Sequence, residues 1–155
     1  MTVIQPPPRL MNRHIGFVFQ AFNLIPVLTV AENIEYILLL KKIKATERQY
    51  MIDRVLKKLD LIDKKDIKPI HLSGGQQQRV AVARALVAEP EVILADEPTA
   101  NLDSQTGSNL IKMMKDLNQK KGITFLFSTH DPIIMNEASR IISLKDGAVI
   151  KDEKK

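Results

Sequence analysis

The run Val92-Ile93-Leu94-Ala95-Asp96-Glu97-Pro98 decides the fold class. Four apolar residues without a polar break read as a strand covered on both faces. Proline has no amide proton to give to a ladder, so the strand ends before Pro98. Downstream, Leu110, Met113, Met114 and Leu117 share one helical face, and Lys120-Lys121-Gly122 stops that helix. The two methionines read as core filler. Ile123 to Ser128 (Ile-Thr-Phe-Leu-Phe-Ser) is the next strand. Strand, helix, strand in this order calls for a right-handed crossover between parallel neighbours, which makes the class α/β. Farther on, Asp131-Pro132 opens a short helix and Arg140 to Leu144 reads as a strand. Asp146-Gly147 is a hairpin turn into Ala148-Val149-Ile150.

Upstream of this core the pattern is helical. Ile15 to Phe19 is a short buried strand. Thr29 with Glu32 forms a capping box ahead of a stripe of Val30, Ile34, Ile37 and Leu38. Thr46 with Gln49 repeats the signal before Ile52, Val55, Leu56 and Leu59, so a helical layer runs from Thr29 to about Leu61. Asp63 to Pro69 is a charged loop. Ser73 with Gln76 is a third box, and Gln76 to Val87 reads as a helix stopped by Glu89-Pro90.

Composition narrows the function classes. The chain has 155 residues, 45% of them hydrophobic and 26% charged, which is the make-up of one globular domain and not of a disordered tail. With no cysteine it has no disulfide framework, thiolate metal site or thiol nucleophile. Its net charge of +5 comes from scattered pairs such as Lys41-Lys42, Lys57-Lys58 and Lys64-Lys65, and only 5% of residues are aromatic. Neither feature suits a nucleic-acid platform, so no nucleic-acid partner is expected. The longest apolar stretch, Tyr36 to Leu40, is far short of the roughly 20 residues that span a bilayer. Met1 to Pro8, with three consecutive prolines, has no signal-peptide pattern, so a soluble intracellular chain is expected.

Asp96 and Glu97 stand at the carboxyl end of one expected parallel strand and His130 just beyond another. That edge is where open α/β sheets bind ligands. One carboxylate there can hold a divalent cation while its neighbour, turned away by the pleat, faces a water. A second element is Leu72-Ser73-Gly74-Gly75-Gln76-Gln77-Gln78-Arg79. Two glycines at a helix N-terminus leave backbone amides bare. With the helix dipole and the Ser73 hydroxyl they make an anion site suited to phosphate.

Leu72 to Leu86 (LSGGQQQRVAVARAL) resembles the signature motif of ABC-type ATPases. At the family's spacing, Val92 to Thr99 is similar to a Walker B strand with its adjoining glutamate. Asn101-Leu102-Asp103 is similar to the D-loop, and Ser128-Thr129-His130-Asp131 to the switch histidine. Upstream, Ile15 to Gln20 is similar to the Q-loop. The stretch from Ala21 to Asn33 resembles the lipoprotein-release and macrolide-export branch. Ala100 stands where that branch commonly has glycine, with little effect expected. The resemblance runs from about Arg9 to Lys151.

The resemblance implies an ABC ATPase fold, with a helical signature subdomain over about 21–88 and the Walker B to switch part of the sheet over about 90–155. It implies ATP and Mg²⁺ as cofactors. Asp96 and Gln20 would serve the metal, Glu97 would be the general base, and His130 would contact the γ-phosphate. Gln20 would also link metal and water to the membrane partner. Ser73, Gly74, Gly75 and Gln76 would bind nucleotide held by a second ABC ATPase subunit, packed head to tail, with Asp103 at that interface. Arg79 and Arg84 are expected as helix-surface or interface ion-pair residues. The implied role is the energy-coupling subunit of an export-type transporter, beside a membrane-spanning permease subunit on the cytoplasmic face. One family element has no match. Of the six glycines only Gly16 precedes Gln20, so the Walker A loop G-x-x-x-x-G-K-[ST] is missing from this sequence, and with it the strand that carries it. The chain therefore reads as a partial P-loop NTPase domain, inactive alone. The alternative is a non-catalytic truncated module that donates its signature motif in trans to a complete subunit.

Overall fold

The computed structural model describes residues 15–155. In chain order the elements are β1 (Ile15–Val18), α1 (Val30–Leu40), α2 (Ala45–Lys58), α3 (Gly74–Leu86) and β2 (Val92–Asp96). Then come α4 (Ser104–Lys121), β3 (Thr124–Ser128), α5 (Pro132–Glu137), β4 (Arg140–Lys145) and β5 (Ala148–Lys154). The sheet is parallel and ordered β1-β2-β3, as the strand–helix–strand reading requires. β4 and β5 form a separate antiparallel hairpin, turned at Asp146 and Gly147, both with positive φ.

Register explains the layering. Gly16, Ile93 and Phe125 lie side by side, as do Val18, Ala95 and Phe127, and this row faces the helices. Gly16, Val18, Ile93 and Ala95 are buried there, whereas Phe17 and Leu94 on the other face are half-buried and Leu126 is 58% exposed. β2 is thus covered on one face by the described residues, not on both. α3 and α4 lie on one side only. α3 sits close on β1 because Gly16 has no side chain: a Cβ there would stand 2.8 Å from the Ala85 carbonyl oxygen. From α3 the core continues through Val80 and Val82 to Ile34 and Leu38 of α1 and Leu56 of α2.

Two of the three capping boxes form as expected, at Thr29/Glu32 and Ser73/Gln76. With Ser73 as N-cap, α3 starts at Gly74, two residues before the expected start. The Thr46/Gln49 box does not form. α2 begins at Ala45 behind an uncapped Lys44, and Gln49 instead bonds the Asp53 carboxylate at 3.0 Å. Arg48 pins the Ile43 carbonyl (2.8 Å) and Glu35 (2.7 Å), so the chain enters the helix early and Thr46 falls inside its first turn. The charged loop holds two short 3₁₀ turns, and its Lys65 and Ile67 carbonyls accept the first amides of α1 at 2.8 Å. Those amides have no partner within their own helix.

Candidate functional site

The polar residues gather at the carboxyl edge of the parallel sheet. Asp96 is the last residue of β2 and is exposed. Glu97 leaves the strand with φ of +41°, a left-handed conformation costly for a residue with a Cβ. The two carboxylates therefore diverge through a turn in the backbone and not through the pleat. The Glu97 amide stays tied to the Ser128 carbonyl at 2.9 Å, which keeps the turn on the β3 edge.

From there Glu97 grips the loop after β3. Its Oε2 accepts the Thr129 hydroxyl at 2.8 Å, and its Oε1 meets His130 Nδ1 at 2.6 Å and the His130 amide at 3.3 Å. Burial works against the charged carboxylate, but these bonds to Thr129 and His130 outweigh it and hold the group below the ordinary glutamate value. Glu97 is a carboxylate at neutral pH, while the His130 side chain stays 90% exposed. A second tie joins the same loops: the Thr99 hydroxyl donates to Asp131, which also caps α5 through the Ile133 amide at 2.9 Å. Ala100 is exposed and outside the left-handed region, so its methyl restricts nothing.

Gln20, just past β1, is exposed, and its carbonyl accepts the Asn101 side-chain amide at 2.8 Å. Asp103 caps α4 by accepting the Thr106 amide at 3.0 Å, and its contacts with Thr106 lower its carboxyl from the usual value. Ser73 and Gln76 satisfy one another: Ser73 Oγ accepts the Gln76 amide at 3.3 Å, and Gln76 Oε1 accepts the Ser73 amide at 3.0 Å. The glycines seat this helix end against the loop after β2. A Cβ on Gly75 would lie 2.5 Å from Thr106 Cγ2, and one on Gly74 3.4 Å from the Asn101 carbonyl oxygen. Glu97 and His130 are thus brought into contact, and Gly74 and Gly75 abut the Asn101–Thr106 segment. Gln20 is linked to Asn101 through its backbone.

Arg84 and Arg79 are half-buried on α3, and neither has an ion pair among the described residues. Arg84 donates to the carbonyls of Phe22 (2.9 Å) and Asn23, and Arg79 to that of Leu59 (3.3 Å). Phe22 and Asn23 have positive φ, and Arg84 clamps this strained turn of the loop after Gln20. Asn33 fixes the far end of that loop, through the Ile25 amide and the carbonyls of Ile25, Leu28 and Thr29. Sequence reasoning does not foresee these contacts of Arg84, Asn33, Asn101 and Thr129, since their partners are backbone groups or distant side chains that leave no spacing signal.

Among the described residues no three metal-ligating side chains converge. A single carboxylate, Asp96, at the open edge suits Mg²⁺, which is commonly held by one or two carboxylates together with nucleotide phosphates.

Comparison with known proteins agrees with this geometry. A family profile described as ABC transporter matches residues 3–100. The ABC transporter ATP-binding protein MJ0796 of Methanocaldococcus jannaschii is 49% identical over 150 residues, covering 94% of this chain and 64% of that protein. The macrolide export ATP-binding/permease protein MacB of Campylobacter jejuni is 44% identical over 95% of this chain and 23% of its own length. Among solved structures, the MJ0796 cassette dimer bound to ADP and Pi superposes with a TM-score of 0.81 at 47% identity, covering 92% of this chain and 63% of that one. CbiO1 from Clostridium perfringens, part of the cbiONQ complex, reaches 0.85 at 32% identity, over 93% of this chain and 58% of its own. The chain spans 63%, 59% and 64% of the first three curated relatives it matches. By the profile match, the identity to these relatives and the shared parallel-sheet architecture, this chain belongs to the ABC transporter family and has the fold of its ATP-binding cassettes.

Proposed function

We propose that the chain is part of the ATP-binding, energy-coupling subunit of an export-type ABC transporter, in which ATP hydrolysis drives transport. The observation that carries this reading is the Glu97–His130–Thr129 cluster at the sheet edge, set one loop away from the capped Ser73-Gly74-Gly75 helix start. Bound Mg-ATP would supply a phosphoryl group whose charge the site must neutralise. Asp96 and Gln20 serve the metal. Glu97, ionised and oriented by Thr129, would take the proton of a water that attacks the γ-phosphorus as the bond to the bridging oxygen breaks and ADP leaves with phosphate as the second product. His130, exposed beside Glu97, would contact the γ-phosphate of a bound nucleotide. Gly74 and Gly75 present their amides, and Ser73 its hydroxyl proton, to a nucleotide held by the facing subunit, with the capping Gln76 and Asp103 beside them. Partners in this reading are a second ABC ATPase subunit, head to tail, and a membrane-spanning permease at the cytoplasmic face.

A second reading is favoured by one feature: these 155 residues contain no G-x-x-x-x-G-K-[ST] run. In this reading the 155 residues contribute Ser73 to Gln76 to a nucleotide held by a complete subunit. Calorimetry of the chain with Mg-ATP tests this. Binding no tighter than about 1 mM, roughly −4 kcal/mol, is expected. Micromolar binding would show a cradle of another kind and remove the donor reading.

A further inference from the structure

Gln78 lies on the signature helix with no solvent exposure, and neither its side-chain nitrogen nor its oxygen has a hydrogen-bond partner among the described residues. A buried amide with both ends unsatisfied is rare in native proteins and calls for a cause. Its place in the fold supplies one. Gly74, Gln78, Ala81 and Ala85 recur at helical spacing and form one strip of α3. At one end of the strip Gly74 meets the Asn101 carbonyl, and at the other Ala85 meets Gly16 of β1. Gln78 is about 6 Å along the axis from the first contact and about 10 Å from the second. It therefore lies between the contact with the loop after β2 and the contact with β1, and the Asn101 side chain joins the loops that follow those two strands by bonding the Gln20 carbonyl.

We propose that Gln78 is a positioning residue whose amide holds an enclosed water, tying the signature helix to the loops that carry Gln20 and Asn101. An amide offers a donor and an acceptor side by side, which suits a water that must also bond backbone groups. The Asn101 carbonyl, which faces this strip at Gly74, is the acceptor proposed for it. The side chain touches neither nucleotide nor metal in this account. It fixes the distance between the helix that contacts one subunit's nucleotide and the loops that serve the other's. The inference concerns these residues' own packing and stands whether or not the chain takes part in hydrolysis.

Gln78→Met separates the possibilities, since it keeps the length and volume and removes both polar atoms. Loss of a bridging amide loosens the loops without emptying the core. The expected result is an unchanged or higher Tm together with faster amide exchange, by about tenfold, confined to residues 19–24 and 99–103. A high-resolution crystal structure of the unsubstituted chain should show a water about 3 Å from the Gln78 amide. A dry amide there overturns the proposal, and this outcome does not depend on the variant folding. Exchange in both loops equal to that of the parent chain also overturns it. So does a lower Tm with exchange raised evenly through α3, which would make Gln78 a packing residue only.

Discussion

At Gly75 a missing methyl group decides how the signature helix meets the loop after β2. A Cβ there would sit 2.5 Å from Thr106 Cγ2, so Gly75→Ala forces α3 and the start of α4 apart. Overpacking of this kind costs about 1–3 kcal/mol. The expected cost falls by more than half when Thr106→Ser removes the opposing methyl, and chemical denaturation of the two single variants and the double variant measures that coupling. Sequence made the Ser73/Gln76 cap legible because both partners lie within one turn. It did not make the Glu97–His130 contact legible, since 33 residues separate the pair and only the β2–β3 pairing brings them together. The Arg84 contacts are hidden from sequence for a related reason: the Asn23 and Phe22 carbonyls that it clamps lie 61 and 62 residues away in the chain.

For the elements, periodicity located strands and helices well and faces less well. The run Val92-Ile93-Leu94-Ala95 was read as covered on both sides, yet Leu94 and its neighbour Leu126 face away from the helices. An apolar run records what a strand can bury and does not say which side the described helices occupy. The two faces differ in energy accordingly. Ile93→Ala, on the packed face, should cost about 2–5 kcal/mol by cavity formation. Leu126→Thr, on the open face, should change stability by no more than about 0.5 kcal/mol. Urea midpoints of the two variants check this, and a large loss at Leu126 would mean that β3 is covered in solution. The failed Thr46 box shows the same limit in a helix: local capping chemistry was present, and Arg48 holding Ile43 and Glu35 overrode it.

Over the whole molecule, the ties between loops set the response to pH. Glu97 is held below its ordinary value, so in the folded state it binds its proton less readily than in the unfolded chain. Its contribution to stability is complete above the unfolded value of about 4.3 and is lost as the pH falls through the lower folded value. Glu97→Gln removes that titration, so parent and variant should differ in stability at pH 7, and the difference should shrink as the pH falls below the unfolded value of about 4.3. The central claim is that these residues form one side of a composite nucleotide site, the side that carries the signature motif. The direct measurement is the ATPase rate of this chain mixed with a complete homologous subunit that supplies the Walker A loop. Ser73→Asp keeps a side chain able to cap α3 but sets a negative charge where the γ-phosphate is expected, so turnover of the mixed pair should fall by about tenfold or more. Glu97→Gln should leave turnover of the same pair nearly unchanged, because the site that Glu97 faces has no phosphate loop within these 155 residues. A large loss from Glu97→Gln, with none from Ser73→Asp, would contradict the account.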